Sequence, residues 1–112
     1  MPYFMYISLQ GDDKILTFGM DEGSGKLDPL GELAVSGGPA PLAVDPRRRV
    51  LYVGRRGAKE VSSFSIDQRT AGLTPIGTIS LDTDSVYLAT DRTGRFLLSA
   101  YYEGSMVTVH PI

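Results

Sequence analysis

Residues 51–66, LYVGRRGAKEVSSFSI, decide the fold, because residues 5–20, MYISLQGDDKILTFGM, and 97–112, LLSAYYEGSMVTVHPI, lie on them at shifts of 46 positions. The register extends outward from this block without insertion or deletion, so that residues 5–50 align with 51–96. Eleven of the 46 pairs are identical, among them Tyr6 and Tyr52, Gly11 and Gly57, Phe18 and Phe64, Asp45 and Asp91, and Arg49 and Arg95. Others keep their class, as Ile7 with Val53 and Ile15 with Val61. A fixed period of this length with strand-like content marks stacked units, none of which buries its apolar faces alone. Residues 1–112 therefore read as one array made of repeats 5–50 and 51–96 and a partial repeat 97–112.

Within a repeat, the runs 3–9, 14–20, 29–35 and 40–45 are rich in β-branched and aromatic residues. Clusters such as Asp21-Glu22-Gly23-Ser24-Gly25 and Ser36-Gly37-Gly38-Pro39 separate them. The second copy places strands at 50–55, 60–66, 74–80 and 86–91, and the third at 95–101 and 105–111. Connections this short suit antiparallel neighbours, and no window supports a helix. Ile15 falls on one side of its strand and Leu16, Phe18 and Met20 on the other, so both faces of the sheet must be covered. The fold class is all-β, with four-stranded antiparallel blades of a β-propeller in an incomplete array of about two and a half blades. Residues 40–80 make the complete blade. A closed propeller needs at least four, so strand edges at 3–9 and 105–111 and faces carrying Leu16, Phe18 and Val107 are left free. A homo-oligomer through exposed blade faces, or aggregation, is the expected consequence.

Composition excludes several function classes. With 112 residues, 42% of them hydrophobic, and a net charge of -2, the chain carries one modest core and no basic excess for nucleic acid. Cysteine is absent and there is one histidine, so thiolate chemistry and a histidine metal pair are both excluded, and no metal or cofactor is expected. The apolar start at 3–9 is too short to span a membrane and lacks a basic flank, which makes the cytoplasm the expected location. No nucleophile elbow or phosphate-cradling loop is present.

Segment 51–66, the run Asp45-Pro46-Arg47-Arg48-Arg49-Val50-Leu51-Tyr52-Val53, and the set Asp91, Gly94, Arg95, Phe96, Leu97, Tyr102, Val107 and Val109 together resemble the seven-bladed propeller lactonases. These are the 6-phosphogluconolactonases of that fold, related to the carboxymuconate-lactonizing propellers. The resemblance implies hydrolysis of a sugar-acid lactone such as 6-phosphogluconolactone, and a whole protein of about 320 residues whose amino-terminal third this chain matches. It further implies that the innermost strand of the first blade comes from the carboxyl end. Acid and base residues lie on later blades in the lactonizing relatives, so this piece alone is expected to be inactive. A second function class, a non-catalytic propeller scaffold for protein binding or self-assembly, stays open.

Candidate binding residues lie in loops that share one rim: those before strands 40–45 and 86–91, and those after 50–55 and 95–101. They hold Arg55 and Arg56, then Tyr101 and Tyr102, with Asp82, Asp84 and Glu103 nearby. A sugar-acid phosphate needs cationic forks, which arginine supplies. Arg56 occupies a position that is basic in many of the relatives, yet an Arg-Arg pair in a hairpin also reads as a solvated turn. Tyr102 sits at the family's tyrosine and reads either as a channel contact or as packing between blades, while Tyr101 departs from the small polar residue common there. Arg49 and Arg95 read as turn arginines, with the Asp45 and Asp91 carboxylates as their partners. His110 aligns with Phe18 and Phe64 and reads as a packing position, with general-base catalysis as the other reading. Catalytic residues stay unassigned.

Overall fold

Ten strands form from these runs in the computed structural model, which describes residues 3–112. In chain order they are β1 (Tyr3–Leu9), β2 (Lys14–Met20), β3 (Leu27–Ala34), β4 (Pro39–Val44), β5 (Val50–Arg55), β6 (Glu60–Ile66), β7 (Leu73–Ser80), β8 (Ser85–Thr90), β9 (Phe96–Tyr101) and β10 (Val107–Pro111). All pair antiparallel, into sheets β1-β2-β3, β4-β5-β6-β7 and β8-β9-β10. The strand boundaries fall within two residues of the expected ones, and residues 39–80 make the complete blade. β10 begins at Val107 rather than 105 because Ser105 takes a left-handed φ of 47° that no strand accommodates.

Both faces of the middle sheet are buried. Leu51, Val53 and Phe64 pack with Ile15 and Val35 of the first sheet and its linker, while Tyr52 and Val61 pack with Leu88 and Leu97 of the third. Alternation along β5 sends Leu51 and Val53 one way and Tyr52 the other, which is how one strand feeds two interfaces. Two polar bridges cross the first interface: the Tyr6 hydroxyl donates to Ala71 O at 2.6 Å, and Ser8 Oγ donates to Ala40 O at 2.7 Å. Burial pushes the Tyr6 hydroxyl up to about 12, so it stays a donor throughout the neutral range.

The repeat extends to backbone irregularities. In β3 the pairing skips Leu30 between Pro29 and Gly31, and in β7 it skips Ile76 between Pro75 and Gly77. Proline has no N–H to give the ladder, so each outer strand bulges at the same place. Left-handed φ values recur at 46-residue spacing too: Gly25 and Ala71, Arg48 and Gly94, and Asp13, Lys59 and Ser105. In β5, Gly54 is required for a different reason, since a Cβ there would overlap the Pro41 ring of β4.

The turns after the inner strands correct one expectation. Asp45 and Asp91 do not pair with the guanidinium groups of Arg49 and Arg95. The Asp45 carboxylate accepts the backbone N–H groups of Arg49 and Val50 at 2.6 and 2.9 Å, and Asp91 accepts those of Arg95 and Phe96, both at 3.0 Å. A short carboxylate reaches the turn's own amides at little entropic cost, whereas a long, exposed arginine must be immobilised to form an ion pair. The Thr93 hydroxyl, together with the amides of Phe96, Thr93 and Arg95, holds the Asp91 carboxyl down at about 2.

Two predictions follow from these turns. A left-handed conformation costs a non-glycine residue more than it costs glycine, so Arg48→Gly should stabilise the chain by about 0.5–1 kcal/mol while Gly94→Arg destabilises it by about 1 kcal/mol. Urea midpoints of the two variants check the opposite signs. Because the folded pKa of Asp91 lies below the ordinary 3.8, its contribution is present above that value and is lost as pH falls through about 2. Asp91→Asn should accordingly lower stability at pH 7 and flatten the acid limb of the unfolding profile, read by circular dichroism from neutral pH down to strong acid.

Candidate functional site

One edge of the three sheets carries the candidate residues, and the linkers between sheets come to it. After β1 and β5 the chain makes single 3₁₀ turns, Gln10–Asp12 and Arg56–Ala58, each closed by a left-handed residue, Asp13 or Lys59. The linker from β3 to β4 lies against the second of these turns: Arg56 N–H donates to Gly38 O at 3.0 Å and Gly57 N–H to Gly37 O at 2.8 Å. Gly37 and Gly38 both have positive φ, and a Cβ on Gly37 would meet the Ala58 methyl at 2.9 Å. Asp13 Oδ1 accepts the Gly38 N–H at 3.0 Å, tying the first hairpin to the same linker. The shared rim expected for the linkers and hairpin loops is present at this junction.

Arg55 and Arg56, adjacent in sequence, have opposite surroundings. Arg55 ends β5 and turns its guanidinium into the junction, where Nε donates to Ser36 O at 2.7 Å, Nη2 to Ser36 Oγ at 3.1 Å, and Nη1 to Glu60 Oε1 at 3.0 Å and Ser62 Oγ at 3.3 Å. It ties linker to hairpin. Arg56 opens the 3₁₀ turn, and its Nε is buried without a hydrogen-bond partner. A buried donor left unpaired costs free energy until an acceptor arrives.

The tyrosine pair divides in the same way. Tyr101 ends β9, is buried, and has its hydroxyl 2.7 Å from Thr108 Oγ1, which lies 2.8 Å from His110 Nε2. Tyr102 is 82% exposed. It stands at the bend that follows β9, on the last of the three sheets. His110 faces the second sheet with Thr108, since Thr108 and His110 pair with buried Ser99 and Leu97. Among the described residues no hydrogen bond links the arginines to the tyrosines, and no group of three His, Asp or Glu residues could hold a metal.

Gln10, Arg56 and Tyr102 occupy one repeat position, 46 residues apart, at the start of successive turns on this rim. Gln10 was missed from the sequence because its type suggests no charge recognition; the period alone could have found it. Also unforeseen were Ser36 and Glu60 as the holders of Arg55, and a buried pair in which Ser99 Oγ donates to Ser85 Oγ at 2.7 Å. The best-formed cavities lie away from the rim. One of about 460 Å³ opens between β1 and β4 beside Tyr3, Tyr6, Leu42 and Ile66, and one of about 900 Å³ beside Asp21, Glu22 and Arg69. Both lie among the turns of the other edge; the first has mostly apolar walls, and the second is lined by the carboxylates of Asp21, Glu22 and Asp28, which repel an anion.

The family model described as Lactonase, 7-bladed beta-propeller, matches residues 4–112. Among solved structures, a candidate 6-phosphogluconolactonase from Bacteroides fragilis superposes with a TM-score of 0.86 at 21% identity, over 96% of this chain and 31% of that one. The periplasmic gluconolactonase of Pseudomonas aeruginosa gives 0.83 at 26% identity, over 96% and 32%. A second candidate 6-phosphogluconolactonase, from Bacteroides uniformis, gives 0.86 at 18%, over 96% and 32%. The chain therefore spans about a third of the length of these proteins. No curated protein matches it. No helix among the described residues is long and apolar enough to cross a membrane.

The two arginines should separate cleanly by mutation. Arg55→Ala strands Glu60 and the Ser36 acceptors and should destabilise the chain by about 1–3 kcal/mol. Arg56→Ala breaks no side-chain hydrogen bond and removes a buried unpaired donor, so it should destabilise the chain clearly less than Arg55→Ala does. Thermal or urea unfolding of the two variants side by side is the measurement.

Proposed function

This chain belongs to the seven-bladed β-propeller lactonase family, and on that premise we propose that it forms part of a hydrolase for a sugar-acid lactone such as 6-phosphogluconolactone. In that reaction water adds to the ring carbonyl carbon, a tetrahedral oxyanion forms, and the ring C–O bond breaks to give the open hydroxy acid. The step needs a base for the water and donors for the oxyanion and for the substrate's own anionic group. The observation that carries the reading is the unpaired, buried Nε of Arg56 on the rim of a lactonase propeller. A guanidinium there suits a phosphate or carboxylate in fork geometry. Tyr102, exposed one repeat further on, is the second contact we assign to substrate.

Arg55 and Tyr101, also candidates from the sequence, act in this reading through position: Arg55 fixes the linker on which the Arg56 turn rests, and Tyr101 anchors the last residue before Tyr102. The chain supplies substrate binding, while the base comes from other blades, so these 112 residues alone do not turn over. We further propose a cytoplasmic location; since the Pseudomonas relative is periplasmic, cell fractionation is the check.

Titration of the isotope-labelled chain with 6-phosphogluconate, followed by NMR, tests the site. Shifts should concentrate on the Arg56 side chain, the amides of Gly37 and Gly38, and Tyr102, and Arg56→Ala should weaken binding about tenfold or more. Unperturbed resonances at Arg56 and Tyr102 would overturn the site. Hydrolysis of 6-phosphogluconolactone above the spontaneous rate, lost in Arg56→Ala, would overturn the division of labour between this chain and other blades.

A further inference from the structure

Charge is divided unevenly between the two edges of the second and third sheets. On the edge opposite the rim, the β4–β5 turn carries Arg47, Arg48 and Arg49, the β6–β7 turn carries Arg69, and the β8–β9 turn carries Arg92 and Arg95, all exposed. The acids of these turns are Asp45, Asp67 and Asp91, and each carboxylate is already occupied by amides of its own turn. Among the described residues the ion pairs are Lys14 with Glu32 and Arg55 with Glu60, neither of them on this edge. Six guanidinium groups against three carboxylates leave the edge at +3. On the rim edge of the same two sheets, Arg55, Arg56 and Lys59 stand against Glu60, Asp82, Asp84 and Glu103, a balance of -1.

The three turns form one surface. Gln68 Nε2 donates to Arg48 O at 3.0 Å and the Ile66 N–H to Arg49 O at 2.8 Å, which joins the β4–β5 and β6–β7 turns. Towards the third sheet, a Cβ on Gly94 would meet the Pro46 ring at 3.3 Å, so the β8–β9 turn closes on the β4–β5 turn. Of the six arginines only Arg95 engages its side chain, donating from Nε to Thr93 Oγ1 at 3.2 Å. The β2–β3 turn, with Asp21, Glu22 and Lys26, lies beyond Arg69 and bounds the cationic stretch. Propeller blades meet through their faces, so an edge of turns stays open to solvent whatever sheets stand on either side.

We propose that this arginine edge docks peripherally on an anionic phospholipid surface. Contact between the turns sets the guanidinium groups on a continuous surface rather than around a cleft, which matches a planar array of phosphates better than one phosphate ion or a peptide. Arginine suits lipid phosphates because its fork donates to two oxygens at once and sheds water readily. No aromatic residue lies in turns 45–49, 67–72 or 91–95 to stack on a base, which favours a lipid surface over a nucleic-acid strand. The charge difference between the edges also orients the chain, with the arginine turns against the lipid and the rim carrying Arg56 turned to solvent.

Cosedimentation of the 112-residue chain with vesicles of phosphatidylcholine and phosphatidylserine in equal parts, beside vesicles of phosphatidylcholine alone, is the test. At low salt the chain should bind the anionic vesicles about a hundredfold more tightly, as three uncompensated charges require, and lose the preference at high salt. Arg47→Gln, Arg69→Gln and Arg92→Gln leave the amide contacts of the turn carboxylates in place. Each should weaken binding about fivefold with an unchanged circular dichroism spectrum. Lys59→Gln, on the rim edge, should leave binding as it is. Absence of binding, equal binding to both kinds of vesicle, or an anionic preference that survives the three arginine substitutions overturns the proposal. So does a complex with duplex DNA tighter than that with the anionic vesicles, or saturable shifts of the arginine side-chain resonances on titration with inorganic phosphate, since either would assign this edge to a different anion.

Discussion

A sheet with two apolar faces needs two neighbours, and every other feature of this chain answers to that constraint. In the middle blade the faces are filled by Leu51, Val53 and Phe64 on one side and Tyr52 and Val61 on the other, all buried. Each such side chain contributes roughly 1.5–3 kcal/mol on leaving water, so five together are comparable with the whole net stability of a small domain. That burial is available only if adjacent sheets approach face to face at uniform spacing. Gly54 has no side chain because the Pro41 ring already fills its place, and the Pro-Gly bulges at 29–31 and 75–77 recur at the same point of each outer strand.

Turns then fix the register in which those faces meet. Asp45 and Asp91 fold the chain back after each inner strand by accepting two amides apiece, and Asp21 and Asp67 do the same between the third and outer strands. All four accept backbone N–H groups, with the Thr93 hydroxyl added at Asp91, so most of the residues that follow them are free to vary. The left-handed positions make the same point, since Asp13, Lys59 and Ser105 share one conformation with three different side chains. What repeats every 46 residues is the backbone demand, and residue identity repeats only where the demand leaves no choice.

This difference explains what was legible in the sequence. Strand positions, the antiparallel order and the middle blade could be read because Tyr6 and Tyr52, or Phe18 and Phe64, sit at faces where chemistry and position are locked together. The partners of the turn carboxylates could not be read, because an Asp four residues before an Arg-Val or an Arg-Phe looks the same whether it takes the guanidinium or the amide. Nor could adjacent residues be told apart. Arg55 and Arg56, or Tyr101 and Tyr102, differ in role only through where strand gives way to turn, a boundary of one residue that composition does not mark. Ser36 as the anchor of Arg55 lies 19 residues away along the chain, across a linker, and no local pattern joins them.

The boundary between strand and turn is also where the fold separates structure from chemistry. The last strand residue points inward and is committed: Arg55 to Ser36, Glu60 and Ser62, and Tyr101 to Thr108. The next residue opens the turn and makes no side-chain hydrogen bond to the sheets, so this position holds glutamine, arginine and tyrosine in successive repeats without disturbing the sheets beneath. Since the committed residue anchors the very turn that its neighbour starts, the neighbouring side chain is held on a rigid base. A side chain positioned by such a base loses less conformational freedom on meeting any partner than one that must be captured from solvent. The residue type at positions 10, 56 and 102 can therefore change while the interblade cores, which carry the stability, stay as they are.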